Sequence, residues 1–289
     1  MQKIRNYKCN YSNSVGISPE VTDGLDLDFP DAYKHRKTMA LLSKAIKEHD
    51  HAGFCLLPFC RTVEIEAMGA AINYGDSVTG PRAADPICDS VEDIMKLPDI
   101  DFSRGRVHEV LEACRILADE GEHVCLEITG PWTQLTSMMD AAKVFRAARK
   151  QKEELIQAMN RLGDQLLRYV DEAKNYGVEI ITFSDSAGAV DILGPRMAAQ
   201  SAKDILYPFM KRLEEHVDDS IIVQVCPKLA FALLDTGFAE TRLHDFGGSV
   251  DFLEAMLNMR GKVKFAGQVC IKNIGVTLAN GKFQELILK

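Results

Sequence analysis

The chain has 289 residues, 46% of them apolar and 26% charged, which suits one large domain with a sizeable core and excludes a disordered or low-complexity protein. The net charge of −8 comes without any basic block, which argues against nucleic acid as the main partner. No apolar run is long enough to span a bilayer and the first residues, MQKIRNYKCNYSN, carry no secretory h-region, so no membrane association and a cytoplasmic location are expected.

Short apolar runs alternate with longer amphipathic stretches along the chain. A first strand is possible in KIRNYKCNY, followed by a helix over 32–49 and a strand at FCLLPF (54–59). Glu64 and Glu66 come just after that strand, where they either ligate a metal, orient a cation or open a helix. Arg61 suits a salt bridge or an anion equally. Segment 75–103 is rich in Asp, Gly and Pro and too long for an ordinary connection; it reads as a lid over the site or as a surface excursion. A helix over 104–120 leads into a strand at VCLEITGP (124–131), whose end carries Thr129, Gly130 and the only Trp, Trp132.

Residues 152–176 place Leu155, Ile156, Met159, Leu162, Leu166, Leu167, Val170 and Ala173 at helical spacing, with Gly177 as the C-terminal stop. The strand IITFSD (180–185) ends in Ser184 and Asp185. A helix over 196–216 contains Pro208, which removes an internal hydrogen bond and should kink or split it. Strands follow at IIVQVC (221–226), TRLHDF (241–246) and VKFAGQVC (263–270), with a short helix over 250–259 between the last two. This alternation predicts parallel strands joined by right-handed crossovers, most simply a (β/α) barrel with its site at the C-terminal strand ends. No GxGxxG or P-loop accompanies it, so nucleotide binding lacks its usual signs.

Eight cysteines, Cys9, Cys55, Cys60, Cys88, Cys114, Cys125, Cys226 and Cys270, form no CxxC pair and read as reduced thiols, most of them packed in the core. Cys226 and Cys270 stand apart because each closes a strand in the tripeptide Gln-Val-Cys, as Gln224-x-Cys226 and Gln268-x-Cys270. With His244 on the strand between, two thiolates and an imidazole make a reasonable zinc set; simple packing and a His244–Asp245 pair are the competing reading. Asp185 after an apolar strand either serves a ligand or caps the turn or helix that follows.

The stretches PFCRTVEIEAMGAAINYGD (58–76), ITGPWTQLTSMMD (128–140), ITFSDSAGAVDILGPRM (181–197), IIVQVCP (221–227) and GQVCIKNIGVTLANG (267–281) resemble the uroporphyrinogen decarboxylase superfamily, and within it the methylcobamide:coenzyme M methyltransferase branch. The resemblance implies a (β/α)8 TIM-type barrel, here short of its last strand–helix unit. It implies a methyltransferase that takes its methyl group from methylcobalamin on a corrinoid protein and passes it to a thiol activated by zinc. Asp185 and Cys226 then stand as catalytic residues, Glu64, Thr129, Ser184 and Gln224 as cofactor-binding residues, and Cys226 as a metal ligand; His244 and Cys270 as the further metal ligands are inferred from their strands and are not the family's pattern. The Arg-rich motif of the decarboxylases is missing, and PFCRTVEIEAMGA looks like the methyltransferase branch instead. Two departures matter: the family's His-x-Cys zinc motif is Gln224-x-Cys226 here, a neutral Gln oxygen being a poor zinc ligand, and the family's second zinc Cys, on the last strand, is not met before Lys289. Alternatives are a decarboxylase or lyase centred on Asp185, and a non-catalytic member that binds a corrinoid protein.

Overall fold

The computed structural model describes residues 4–5, 16–267, 269–272 and 275–289. It is an α/β structure built on one mixed seven-stranded sheet: β1 (Cys55–Leu57), β2 (Val124–Thr129), β3 (Ile180–Ser184), β4 (Ile222–Val225), β5 (Ala239–Asp245), β6 (Phe265–Ala266) and β7 (Lys282–Leu288). The order is β1-β2-β3-β4-β6-β7-β5, with β1, β2, β3, β4 and β6 parallel and β7 antiparallel to both its neighbours. Among the described residues, β1 and β5 form the two open edges.

Two expectations change here. Chain order puts the strand of His244 between those of Cys226 and Cys270; it lies instead at the far edge, because β6 pairs directly with β4. The slot beside β6 is taken by β7, a strand absent from the expected set. Alternation in KFQELIL supports it through buried Phe283, Leu286 and Leu288. The possible strand at 3–11 falls largely outside the described residues; within it Ile4 is buried and Arg5 pairs with Asp235.

Strand alternation gives the sheet two different faces. One face, with Cys55, Leu57, Leu126, Ile128, Ile181, Phe183, Val223 and Val225, packs under the helices. These helices include Arg36–His49, Gly105–Asp119 and Lys152–Lys174, close to the spans read from periodicity. The opposite face is apolar at the N-terminal strand ends, where Phe54, Cys125, Ile180 and Ile222 meet Phe252, Leu253 and Met256 of helix Phe252–Met259. Towards the C-terminal ends it turns polar: Glu127, Thr182 and Gln224 stand in register, and Thr129 stands beside Ser184 one step further.

Pro208 does split its helix. A π-helical turn at Ala202–Leu206 separates Val190–Ser201 from Tyr207–His216, and Pro208 sits in the first turn of the latter, where its missing N–H costs nothing. Segment 75–103 is held against the helices: the N–H groups of Ile87 and Cys88 donate to the Met138 carbonyl, and that of Ile100 donates to Gln165 Oε1 at 2.8 Å.

Candidate active site

The loop after β2 and the loop after β3 are built around one carboxylate. Asp185 is 5% exposed. Its Oδ2 accepts the Trp132 N–H at 3.0 Å, and its Oδ1 accepts the N–H and the hydroxyl of Thr133, both at 2.8 Å. Asp185 therefore caps helix Pro131–Met138, supplying from a neighbouring strand end the acceptor that Gly130 lacks. The alternative of a helix cap is right in kind, but the helix lies more than fifty residues earlier in the chain instead of following Asp185. Burial pushes the Asp185 carboxyl up to about 6, against the opposing pull of the Thr133 hydroxyl and the backbone donors. Two glycines make room for it: a Cβ at Gly130 would lie 2.3 Å from Asp185 Cβ, and one at Gly188 would lie 3.2 Å from Oδ2. Trp132 is buried and its indole N–H donates to Ser201 Oγ at 2.8 Å.

Glu127 centres the polar part of the sheet face. Ser184 Oγ donates to its Oε1 at 2.7 Å, and Arg61 Nε stands 3.6 Å from the same oxygen. Arg61 also donates to Ser186 Oγ at 3.0 Å, so this guanidinium ties the ends of β1, β2 and β3 together. A cavity of about 310 Å³ opens beside Glu127, walled by Phe54, Leu56, Pro58 and Phe59 and flanked by Lys272.

Glu64 lies deeper. It is 1% exposed, and its Oε1 accepts the Thr129 N–H at 2.8 Å. Burial pushes its carboxyl up to about 7; the Thr129 N–H and Arg106 pull the other way, and Glu127 adds to the rise. Nearby Arg106 donates to Cys60 Sγ at 3.0 Å, Thr62 Oγ1 at 2.6 Å and Glu66 Oε2 at 2.5 Å. Burial works against its charge, yet Cys60 and Glu66 beside it raise its pKa on balance.

The donor set does not fit zinc. Gln224 is 1% exposed, and its amide is spent: Oε1 accepts from Thr182 Oγ1 at 2.6 Å, while Nε2 donates to the carbonyls of Val225 at 2.9 Å and Val269 at 2.6 Å. His244 Nε2 is 2.7 Å from Glu285 Oε2, across the β5–β7 pair at the sheet edge. Among the described residues no group of three His, Cys, Asp or Glu side chains converges as a metal site, so the expected set of Cys226, His244 and Cys270 is not brought together. The cause is the strand order, which moves His244 away from β4. Cys226 and Cys270 are both partly exposed, and Cys226 heads helix Pro227–Asp235 at the end of β4. Gln268 lies outside the described residues.

Of the residues expected from sequence, Thr129, Ser184, Asp185 and Cys226 do gather at adjacent strand ends, with Glu64 behind Thr129 and Gln224 one step below Cys226. Sequence reasoning missed Thr133 and Arg106. The Gly-Pro at 130–131 is a helix-start signal that points to Thr133. Nothing local marks Arg106, whose partners lie 40 to 46 residues away.

Comparison with known proteins finds methyltransferases among the similar chains. The methylcobamide:CoM methyltransferase MtaA of Methanosarcina barkeri is 24% identical over 220 residues, covering 75% of this chain and 63% of the relative. MtbA of Methanosarcina acetivorans, also named a methylcobamide:CoM methyltransferase, is 23% identical over 206 residues, 68% of this chain and 59% of its own length. The chain thus spans less than two thirds of these relatives. A solved methyltransferase from Methanosarcina mazei shares the fold, with a TM-score of 0.64 and 22% identity over 81% of this chain and 68% of that one. The uroporphyrinogen decarboxylase (URO-D) family matches residues 22–269, and the chain belongs to that family.

Proposed function

We propose that this chain is a methyltransferase that moves a methyl group from a methylated corrinoid, presented by a corrinoid protein, to a thiol or similar acceptor. In this reading the sheet is the larger part of a (β/α)8 barrel, and the acceptor lies over the polar C-terminal half of its face. The observation that carries it is the linked group of Glu127, Ser184 and Arg61, with the partly exposed Cys226 at the end of the next strand, in a chain whose relatives are named methylcobamide:CoM methyltransferases. The acceptor attacks as its thiolate, its proton given up to solvent; the C–S bond forms in line as the Co–C bond breaks, and that bond's electron pair stays on the corrinoid. Arg61 and Glu127 orient the acceptor and Asp185 holds the Trp132–Thr133 turn beside it. Zinc activation is not part of this reading, because the strand order carries His244 away from Cys226 and, among the described residues, no three His, Cys, Asp or Glu side chains converge as a metal site.

Geometry counts against decarboxylation centred on Asp185, since both its oxygens already accept hydrogen bonds and it is buried. The deciding assay follows the absorption of methylcobalamin, free or on a corrinoid protein, with a set of small thiols under anaerobic conditions. Demethylation that fails in Cys226→Ser supports the proposal. Binding to a corrinoid protein without any methyl transfer would overturn it in favour of a non-catalytic member. Metal analysis of the same protein should return well below one equivalent of zinc.

A further inference from the structure

Glu64 presents a donor problem. Its Oε2 is buried without a hydrogen-bond partner, and so are Gln134 Oε1 and the Tyr169 hydroxyl. The first two flank one residue: Glu64 Oε1 takes the Thr129 N–H, and Gln134 Nε2 donates to the Thr129 carbonyl at 2.6 Å. That bond fixes the Gln134 amide with its oxygen turned away. With Glu64 ionised, two buried acceptors share at most the single proton of Tyr169, and one of them carries a charge. With Glu64 protonated, the oxygen that no donor reaches carries no charge, and the Thr129 N–H bond at Oε1 is kept. Facing Glu64 are one cation, Arg106, and two further titratable groups, Glu127 and Tyr169. Arg106 is already engaged by Glu66, Cys60 and Thr62, which leaves it little to spend on Glu64.

We infer that Glu64 is a positioning residue held as a neutral acid, whose carbonyl oxygen clamps the end of β2 at the Thr129 N–H and so aims the Thr129–Thr133 segment that Asp185 caps. The segment is gripped from two sides, by Glu64 at the Thr129 N–H and by Asp185 at the Trp132 and Thr133 N–H groups. Losing the Glu64 proton puts a negative charge beside the unpartnered Oε2 under β2, and the rearrangement that this buried charge demands disturbs the first of these grips even though the Thr129 N–H itself favours the charged form.

Infrared difference spectra of the intact chain, taken on either side of pH 7, test this directly. A carbonyl band of a protonated carboxylic acid is expected below that pH, bleaching with a midpoint near 7 and absent from Glu64→Gln. Emission from Trp132, the only Trp, should shift with the same midpoint in the wild type and not in the variant. The inference is overturned by a wild type with no such band, by a band with its midpoint near 7 that survives in Glu64→Gln (Asp185, pushed up to about 6, gives its own band at lower pH), or by Trp132 emission indifferent to the transition. Should Glu64→Gln not fold, Tyr169→Phe replaces it: removing the hydroxyl must move the band or its midpoint, and an unchanged pair overturns the inference. A kinetic arm rests on the methyl-transfer reading: kcat should fall about tenfold per pH unit above the midpoint, with KM constant, and Glu64→Gln should abolish that limb. A chain that transfers no methyl group sinks the functional reading, while the infrared band still decides the protonation of Glu64.

Discussion

Replacing Gly130 with Ala is the sharpest test of how the Asp185 cap is built. The backbone there, at φ −66° and ψ 162°, suits any residue, so an alanine adds no conformational strain. The entire cost is the contact: the new Cβ would stand 2.3 Å from Asp185 Cβ, 2.5 Å from Cγ and 2.6 Å from Oδ2. Ordinary contact needs the two groups to part by roughly 1 Å or more. Asp185 is a short side chain, buried and held by Trp132 and Thr133, so it cannot retreat without losing those bonds. Overpacking costs about 1–3 kcal/mol and a lost helix cap about 1 kcal/mol more, giving about 3 kcal/mol in all. Urea unfolding at neutral pH measures this, with a fall in melting temperature of roughly 6 °C or more. Gly53→Ala is the control. Its Cβ would come even closer, 2.2 Å from Leu253 Cδ2, but that atom ends a flexible side chain that can turn aside, so the loss should stay near 1 kcal/mol. Equal losses in the two variants, or a Gly130→Ala protein within about 0.5 kcal/mol of wild type, would refute the reasoning.

Three further outcomes follow from the same geometry. Glu64 has a folded pKa raised from 4.5 to about 7, so its contribution to stability is full below 4.5 and is lost as pH rises to 7; that span is worth about 3 kcal/mol, and the difference between wild-type and Glu64→Gln stability curves should show it in that window and nowhere else. Arg106→Met strands buried partners, with Arg106 itself 3% exposed at its side chain, and should cost about 3 kcal/mol; adding Glu66→Gln should recover part of the loss, and strictly additive losses in urea titrations would contradict the pairing. Trp132→Phe strands the Ser201 hydroxyl, bonded at 2.8 Å in the wild type, and should cost about 1–2 kcal/mol; Ser201→Ala in the same chain should largely restore the loss, and no recovery would count against that bond.

Much of the scaffold was legible because it is written in local patterns. Helical spacing marked 152–174 within two residues of its end, with Gly177 just beyond, and the apolar runs marked β1 to β4. The crossover rule then put Thr129, Ser184, Asp185 and Cys226 at the same end of neighbouring strands without any knowledge of contacts. What local pattern does not carry is which strands pair. The place of β5 at the edge and of β7 beside β6 depends on hydrogen bonds spanning tens of residues, and that order alone separates His244 from Cys226 and gives it to Glu285. The same holds for polar side chains whose partners are remote. Asp185 could be read as a cap, but that its helix starts at Pro131 was decided by packing across 53 residues. Gln224 could be read as a poor zinc ligand, but only the folded chain shows its amide engaged at both ends, by Thr182 at the oxygen and by the Val225 and Val269 carbonyls at the nitrogen. Sequence determined which groups reach the strand ends, because alternation and periodicity act over a few residues. Tertiary structure decided what each group binds there, because the buried donors and acceptors that settle it come from elsewhere in the chain.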